Sequence, residues 1–328
     1  MNPVIVFVIL LLVILFILLI FLIIRFNKGK RMAEERWQQS SIQKISDFGA
    51  TKSLEILPLI DWHTNRNDLK VETGISYLVM TDNNSILFDA GLNFEQSDPS
   101  PLLHNMGQMG ISLDDIDSIV ISHNHLDHVG GLKWQKQKSF SLTAHQIDLR
   151  KKAVYTPIPM IYPGLDTIYA ENPTVVANGV ATTGMIPNQD FISGWIQEQS
   201  IAVNVEGKGI VLIIGCGHQT LPKIIARAED LFEEPIYGVI GGLHYPVTDS
   251  PAKIFGIKIQ KYIGTCKFPW KPITIDEVHT NIDILKKVNP KVVGLSPHDS
   301  CDASIAAFRK AFQNEYKDII VGERIVIH

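Results

Sequence analysis

The sequence predicts an α/β domain, a mixed β-sheet assembly covered by helices, behind a single N-terminal transmembrane helix. Three observations carry that prediction. Val4 to Ile24 is an unbroken apolar run without a charged or polar residue. From Leu54 onward the chain turns to short β-like segments joined by turns, then alternates strands with helices, the pattern of sheets covered by helices. Polar residues recur just after apolar strands, the place where ligands collect in α/β folds.

Taken in order, the first run spans roughly 30 Å as a helix at about 1.5 Å per residue, the thickness of a hydrocarbon core. A cleaved secretory signal is the competing reading. The run is longer than an ordinary signal core, no Lys or Arg precedes it, and no small-residue cleavage site follows. Arg25, Lys28, Lys30 and Arg31 come directly after it, so the positive-inside rule predicts a single-pass protein with a cytoplasmic domain and a very short N-terminus outside. The segment 1–24 is thus the transmembrane helix. Residues 25–50, charged and Gln/Ser-rich, read as a juxtamembrane connector with a helix after the basic cluster. Packing of Trp37 and Ile42 as the first helix of the domain is the alternative.

Residues 51–328 form the globular domain. Leu54–Ile60, Ile75–Thr81 and Ser85–Phe88 read as strands, the last two joined by the hairpin turn Asp82-Asn83-Asn84. Pro101–Met109 has helical spacing and Ser118–Ser122 is a strand. Further strands are expected at Phe140–Thr143, Thr174–Val176, Ile201–Val205, Ile210–Ile214, Ile236–Ile240 and Lys291–Leu295, with a terminal strand or hairpin at Ile319–Ile327. Helices are expected at Leu221–Phe232 and Ala303–Phe312. Thr274-Ile275-Asp276-Glu277 opens another with a capping box, and Ile275, Val278, Ile282 and Leu285 make its apolar stripe.

A hydrophobic content of 45% is enough to bury a core. The net charge of -4 offers no basic footprint, so no nucleic-acid partner is expected. Three cysteines, Cys216, Cys266 and Cys301, are too few for a disulfide framework and fit a reducing compartment.

The chemistry starts at His123-Asn124-His125-Leu126-Asp127-His128, which follows Ile119-Val120-Ile121. Neutral imidazole suits divalent zinc, manganese or iron, and a nearby carboxylate holds a second ion or orients a bound water. Any one of these histidines alone would read as a solvated turn. The set at fixed short spacing reads as a metal site. In extended chain His123 and His125 point the same way and Leu126 turns back to pack, with Asp127 and His128 on the bend.

Other strand ends add candidates. His218, in the tight loop Gly215-Cys216-Gly217-His218, reads as a metal ligand. His298, after Ser296-Pro297, also reads as a ligand, with capping of the helix near Asp302 as the alternative. His244 stands open between ligand, substrate contact and hydrogen-bonded loop histidine. Asp89 is expected to hydrogen-bond the His123 loop in support of its ligands. Cys216 is read as a small buried residue rather than a soft ligand. His63, His104, His145 and His279 lack a strand-end context and stay unassigned.

The run Ser122 to Gly131 resembles the HxHxDH signature of the metallo-β-lactamase superfamily. Gly74-Ile75-Ser76-Tyr77-Leu78, Ile86 to Gly91, Leu103-His104-Asn105, Gly215 to His218 and Gly241-Gly242-Leu243-His244 resemble its dihydropterin ribofuranosylaminobenzene phosphate synthase-like subgroup. Together they cover most of residues 54 to 328 and leave the apolar helix and connector outside.

The resemblance implies a four-layer αββα metallo-β-lactamase sandwich with its site at one edge. It implies two ions, Zn2+ first, with Mn2+ or Fe2+ as alternatives. His123, His125 and His218 would hold one; Asp127, His128 and His298 would hold the other. Many family members bridge the two ions with an Asp, and the corresponding strand end here carries Cys216 and no Asp. Iron-using relatives commonly replace the second signature histidine with Glu, whereas this chain keeps His125.

The resulting expectation is a membrane-anchored di-zinc hydrolase. A metal-bound hydroxide would attack an ester or phosphoester, with Asp127 as the catalytic residue that orients it. Its substrate would be a small molecule or a lipid-like one. A pterin-type phosphate synthase or transferase is the alternative that the subgroup suggests. A non-catalytic metal-binding sensor is a third reading, although a structural ion needs only four closed ligands. Loops such as Tyr155–Asp166 and Asp249–Pro272 would shape the substrate pocket and carry no motif.

Overall fold

The computed structural model describes residues 2–40, 42–254 and 256–328. Helix α1 (Pro3–Gln39) is continuous, opened by Asn2, whose side chain accepts from the Val4 amide at 2.9 Å, and by Pro3 in the first turn. Through Ile24 its apolar side chains stand clear of the domain, Phe7, Leu12, Phe16 and Ile24 among them. This part is long and apolar enough to cross a membrane. Beyond Arg25 the same helix buries a face on the domain through Phe26, Gly29 and Ala33. Residues 25–39 are therefore a docked helix, and the described residues from Ile42 to the first strand are irregular apart from a bridge at Thr51.

The first half of the domain supplies β1 (Leu54–Ile60), β2 (Ser76–Thr81), β3 (Ser85–Phe88), β4 (Ser118–Val120), β5 (Ala153–Thr156) and β6 (Ile168–Tyr169). Helix α2 (Pro101–Gln108) precedes β4 and α3 (Leu132–Gln137) follows it. Next come β7 (Val175–Ala177), β8 (Val180–Thr182), the hairpin β9 (Ile186–Asp190) and β10 (Gly194–Glu198), β11 (Ile201–Val205) and β12 (Gly209–Ile214). The chain continues with α4 (Leu221–Leu231), β13 (Ile236–Gly241), the short hairpin β14 (Lys253–Ile254) and β15 (Ile257–Lys258), and α5 (Ile275–Val288). It closes with β16 (Val292–Leu295), α6 (Asp302–Phe312) and β17 (Ile325–Ile327).

One sheet has the order β17-β1-β2-β3-β4-β5-β6, antiparallel as far as β3 and parallel beyond it. The other runs β16-β13-β12-β11-β8-β7, with β16, β13 and β12 parallel. Period-two alternation sorts the side chains into layers. On β12, Val211 and Ile213 enter the space between the sheets with Tyr77, Val79, Phe88 and Val120. Ile210, Leu212 and Ile214 face outward among residues of α4, α5 and α6. Leu78, Leu87 and Ile119 do the same among residues of α2 and α3. The result is an αββα sandwich whose parallel strands deliver their carboxyl ends to one edge.

The expected hairpin closes between β2 and β3, pairing Met80 with Ser85. The expected capping box at Thr274 forms, with Glu277 as its partner. Phe140–Thr143, expected as a strand, is instead a buried bend. Its apolar alternation serves packing, with Phe140 tilted on Tyr162 at 4.7 Å, rather than a ladder. Of Ile319–Ile327 only the last three residues form a strand. The polar hairpin β9–β10 has no clean alternation and was not anticipated.

Candidate metal centre

Six loops bring their polar residues to the carboxyl edge of the sheets. β4 ends at Val120, and the chain turns so that the His128 amide meets the His125 carbonyl at 3.0 Å. That turn places His123 Nε2 3.0 Å from His125 Nδ1 and brings the His123 and His128 rings together, tilted, at 4.0 Å. It also turns Leu126 outward, 37% exposed, instead of back into the core. His125 and Asp127 are the partly exposed members, whereas His123, His128, His218, His244 and His298 are buried.

His218 arrives from the loop after β12, its ring 4.9 Å from those of both His123 and His125. His298 arrives after β16, its ring 5.6 Å from that of His128. It does not cap α6, where Cys301 takes the cap position. His244, after β13, has its ring 5.0 Å from that of His218.

Cys216, read from sequence as a bland buried residue, sits at the middle of this set. Its Sγ lies 3.0 Å from His128 Nε2 and 3.2 Å from His298 Nε2. It is common to three groups whose ligand atoms lie within 4.8 Å of one another: with Asp127, His128 and His298; with His123 and His218; and with His244 and Asp299. The signal was its place at a strand end, where many relatives carry the bridging Asp. Asp299 was missed as a cluster member because it follows a stronger candidate.

The outer nitrogens of five imidazoles are each tied to an acceptor, which fixes their tautomers. Asp89 accepts from the Ser122 amide and hydroxyl, both at 2.6 Å, and from His128 Nδ1 at 2.7 Å. Because Ser122 spends its one proton on Asp89, its oxygen accepts from His123 Nδ1 at 2.9 Å. Ser296 repeats the device, donating to Asp61 at 2.6 Å and accepting from His298 Nδ1 at 2.6 Å. His218 Nδ1 donates to the Gly264 carbonyl at 2.7 Å, and His244 Nε2 to the Ile263 carbonyl at 3.0 Å. In the neutral rings the inner nitrogens are lone pairs facing the cluster, and buried His218 Nε2 and His244 Nδ1 have no hydrogen-bond partner among the described residues.

Glu198, at the end of β10, clamps the Cys216 loop by accepting from the amides of Cys216, Gly217 and His218 at 2.9, 2.9 and 2.7 Å. Asp61 directly follows β1 and also accepts from Tyr77 Oη at 2.6 Å. The strand-end rule applied to those two carboxylates would have found them. Gly242 lets His298 and Asp299 approach the backbone: a Cβ there would lie 2.5 Å from Asp299 Oδ2.

Burial holds the imidazoles of His123, His218 and His298 well below their ordinary pKa, helped by their histidine neighbours. Burial likewise lowers His125 to about 4. For His128 burial acts downward, but Asp127 and Asp89 outweigh it and raise the group to about 9. Those carboxylates favour positive charge at that position, whether proton or cation. Burial, then Asp127 and Asp299, push the Cys216 thiol up; a divalent cation beside it acts in the opposite sense. Burial also pushes Asp61 up to about 6 and Glu198 to about 7, against their hydrogen-bond donors.

This donor set, neutral imidazoles with a thiol and carboxylates, fits zinc or a similar divalent ion. Two inner imidazole nitrogens 3.0 Å apart repel unless a proton or cation lies between them. Residues 70–146 match the description of the metallo-beta-lactamase superfamily. That match covers the segment from Lys70 to Gln146, which holds the His123–His128 cluster. It is 24% identical over 265 residues to the 7,8-dihydropterin-6-methyl-4-(beta-D-ribofuranosyl)-aminobenzene-5'-phosphate synthase of Methanocaldococcus jannaschii, covering 68% of this chain and 88% of that protein. Among solved structures it is similar to Tm1679, a metal-dependent hydrolase of the beta-lactamase superfamily, with a TM-score of 0.54 and 20% identity over 83% of this chain and 98% of that one. It is also similar to the metallo-beta-lactamase fold protein YhfI of Bacillus subtilis, with a TM-score of 0.51 and 13% identity over 84% and 100% of the two chains. These structural likenesses establish the fold, and the resemblance to the synthase subgroup seen in the sequence extends to a whole relative.

Proposed function

We propose that the chain is a membrane-anchored, metal-dependent hydrolase of an ester or phosphoester, facing the cytoplasm and using two zinc ions. The supporting observation is the convergence of five inward lone pairs on Cys216, each set by an outward hydrogen bond. His123, His125 and His218 would hold one ion, and Asp127, His128 and His298 the other, with Cys216 within reach of both. When bound, such ions acidify a coordinated water toward neutral pH and offset the charge that gathers on the attacked oxygen. Asp127, partly exposed and 3.6 Å from His128 Nε2, would accept the proton of the attacking water. The buried network of Asp89, Ser122, Ser296 and Asp61 keeps the imidazoles from rotating. The apolar first part of α1 supplies the anchor, and Arg25, Lys28, Lys30 and Arg31 set the orientation.

Similarity to the archaeal synthase supports a second reading, phosphate-substrate synthase or transferase chemistry at the same centre. A panel of esters, lactones, phosphodiesters and pterin phosphates, run with metal add-back, separates the two. Up to two ions per chain and Asp127→Ala turnover at background, with the fold intact by circular dichroism, are expected. No ion under metal-replete conditions would sink both readings.

A further inference from the structure

The place where α1 leaves the domain is an aromatic and basic surface. Ile24 ends the apolar run, and Arg25 in the next position donates to the carbonyls of Phe191 and Ile192 at 2.6 and 3.0 Å, at the tip of the β9–β10 hairpin. Phe26 packs on Phe191 at 5.6 Å and on Phe268 at 4.6 Å, and Phe268 stacks on Trp270 at 4.8 Å. Two large side chains stay uncovered here, Ile192 at 47% and Trp270 at 54% exposure. Between Ser250 and Ile275 the sequence has five lysines; Lys253 and Lys258 pair with Asp249 and Lys267 with Glu277, which leaves Lys261 and Lys271 without a salt bridge among the described residues. An aromatic girdle with lysines at the end of a membrane helix has the chemistry of an anionic headgroup layer.

The same loop holds half of the metal cluster. Carbonyls of Ile263 and Gly264 orient His244 and His218, and Gln260 Nε2 donates to the His298 carbonyl at 2.7 Å. We propose that loop 257–272 and hairpin tip 191–193 form a foot in the headgroup layer of an anionic bilayer, so that the loop orienting His218 and His244 is itself a membrane contact. The foot rests on the reading of α1 as a span. It adds a second contact, continuous with the first, and implies that substrate reaches the centre from the lipid surface.

The test uses the full chain reconstituted into vesicles of bromine-labelled phosphatidylcholine with phosphatidylglycerol. Flotation reports the anchor, and bromine quenching of tryptophan emission reports the foot. Trp37 lies about 18 Å further along α1 from Arg25 and should escape quenching. Fractional quenching is expected to fall by about twofold in Trp270→Phe, and in Lys261→Glu/Lys271→Glu on anionic but not on zwitterionic vesicles. Equal quenching in wild type and Trp270→Phe, with flotation intact, would overturn the foot alone. Failure of the full chain to float would overturn the anchor reading and the foot with it.

Discussion

His123, His128 and His298 are oriented by side chains rooted in the sheets, through Ser122, Asp89, Ser296 and Asp61. His218 and His244 are oriented by backbone carbonyls of a surface loop, at Gly264 and Ile263. The first side is part of the sandwich core, where a buried carboxylate or hydroxyl fixes each ring. The second is only as rigid as residues 259–264. One half of the centre is therefore set by folding, and the other can respond to whatever the loop touches. Cys216 joins them, and Glu198 holds its loop to the β9–β10 hairpin.

Removing that joint should have the largest effect. Cys216→Ala is expected to cost about half or more of the bound metal, since a tetrahedral ion seldom tolerates loss of one of its few protein ligands. Metal analysis alongside circular dichroism checks it. A full complement of metal in the folded variant would take Cys216 out of the centre and leave two independent halves.

The core-anchored side is probed by Asp89→Ala. Loss of a carboxylate that orients a ligating imidazole typically costs about 10–100-fold in metal affinity or activity. It also leaves the buried Ser122 amide unpaired, a destabilisation of about 1–3 kcal/mol, while His128 Nδ1 keeps only the Ser122 hydroxyl at 3.3 Å. Competition with a chromophoric chelator reads the first effect, and denaturant unfolding the second. A variant that loses stability yet binds metal at wild-type affinity would show that Asp89 serves the fold alone.

The contrast between the two sides also explains what was legible in the sequence. The His123–His128 cluster is local, so its spacing alone announced it, and the strand-end rule located Asp89, His218, His244 and His298 because parallel strands share one edge. The same rule reaches Asp61 after β1 and Glu198 on β10, but neither follows an obvious motif. Cys216 was underrated because its role comes from neighbours 88 residues before it and 82 after it. The carbonyl acceptors of Gly264 and Ile263 have no side-chain signature at all. Hairpin β9–β10 escaped notice because its polar residues are buried for function: Asn188 meets Lys30 of α1 at 2.8 Å and also donates to the His218 carbonyl. The charged segment after Ile24 looked like a free connector because its buried face, Phe26, Gly29 and Ala33, is only three residues wide.

Gly264→Ala tests the loop-held side and should have the smallest effect of the three. Gly264 has φ +86°, and a Cβ there would lie 2.6 Å from His244 Cε1 and 3.0 Å from His218 Cε1. The left-handed backbone adds about 1–2 kcal/mol of strain for a residue with a side chain. A loop at the surface relieves both by shifting, so global stability should change little while His218 and His244 lose their alignment. A fall in activity of about tenfold is expected, near the energy of the strain released. An ion at the proposed site of Asp127, His128 and His298 should stay bound at wild-type affinity. A loss as large as that of Asp89→Ala, or of both ions together, would show that the loop is as rigidly coupled to the centre as the core side, and the distinction between the halves would fall.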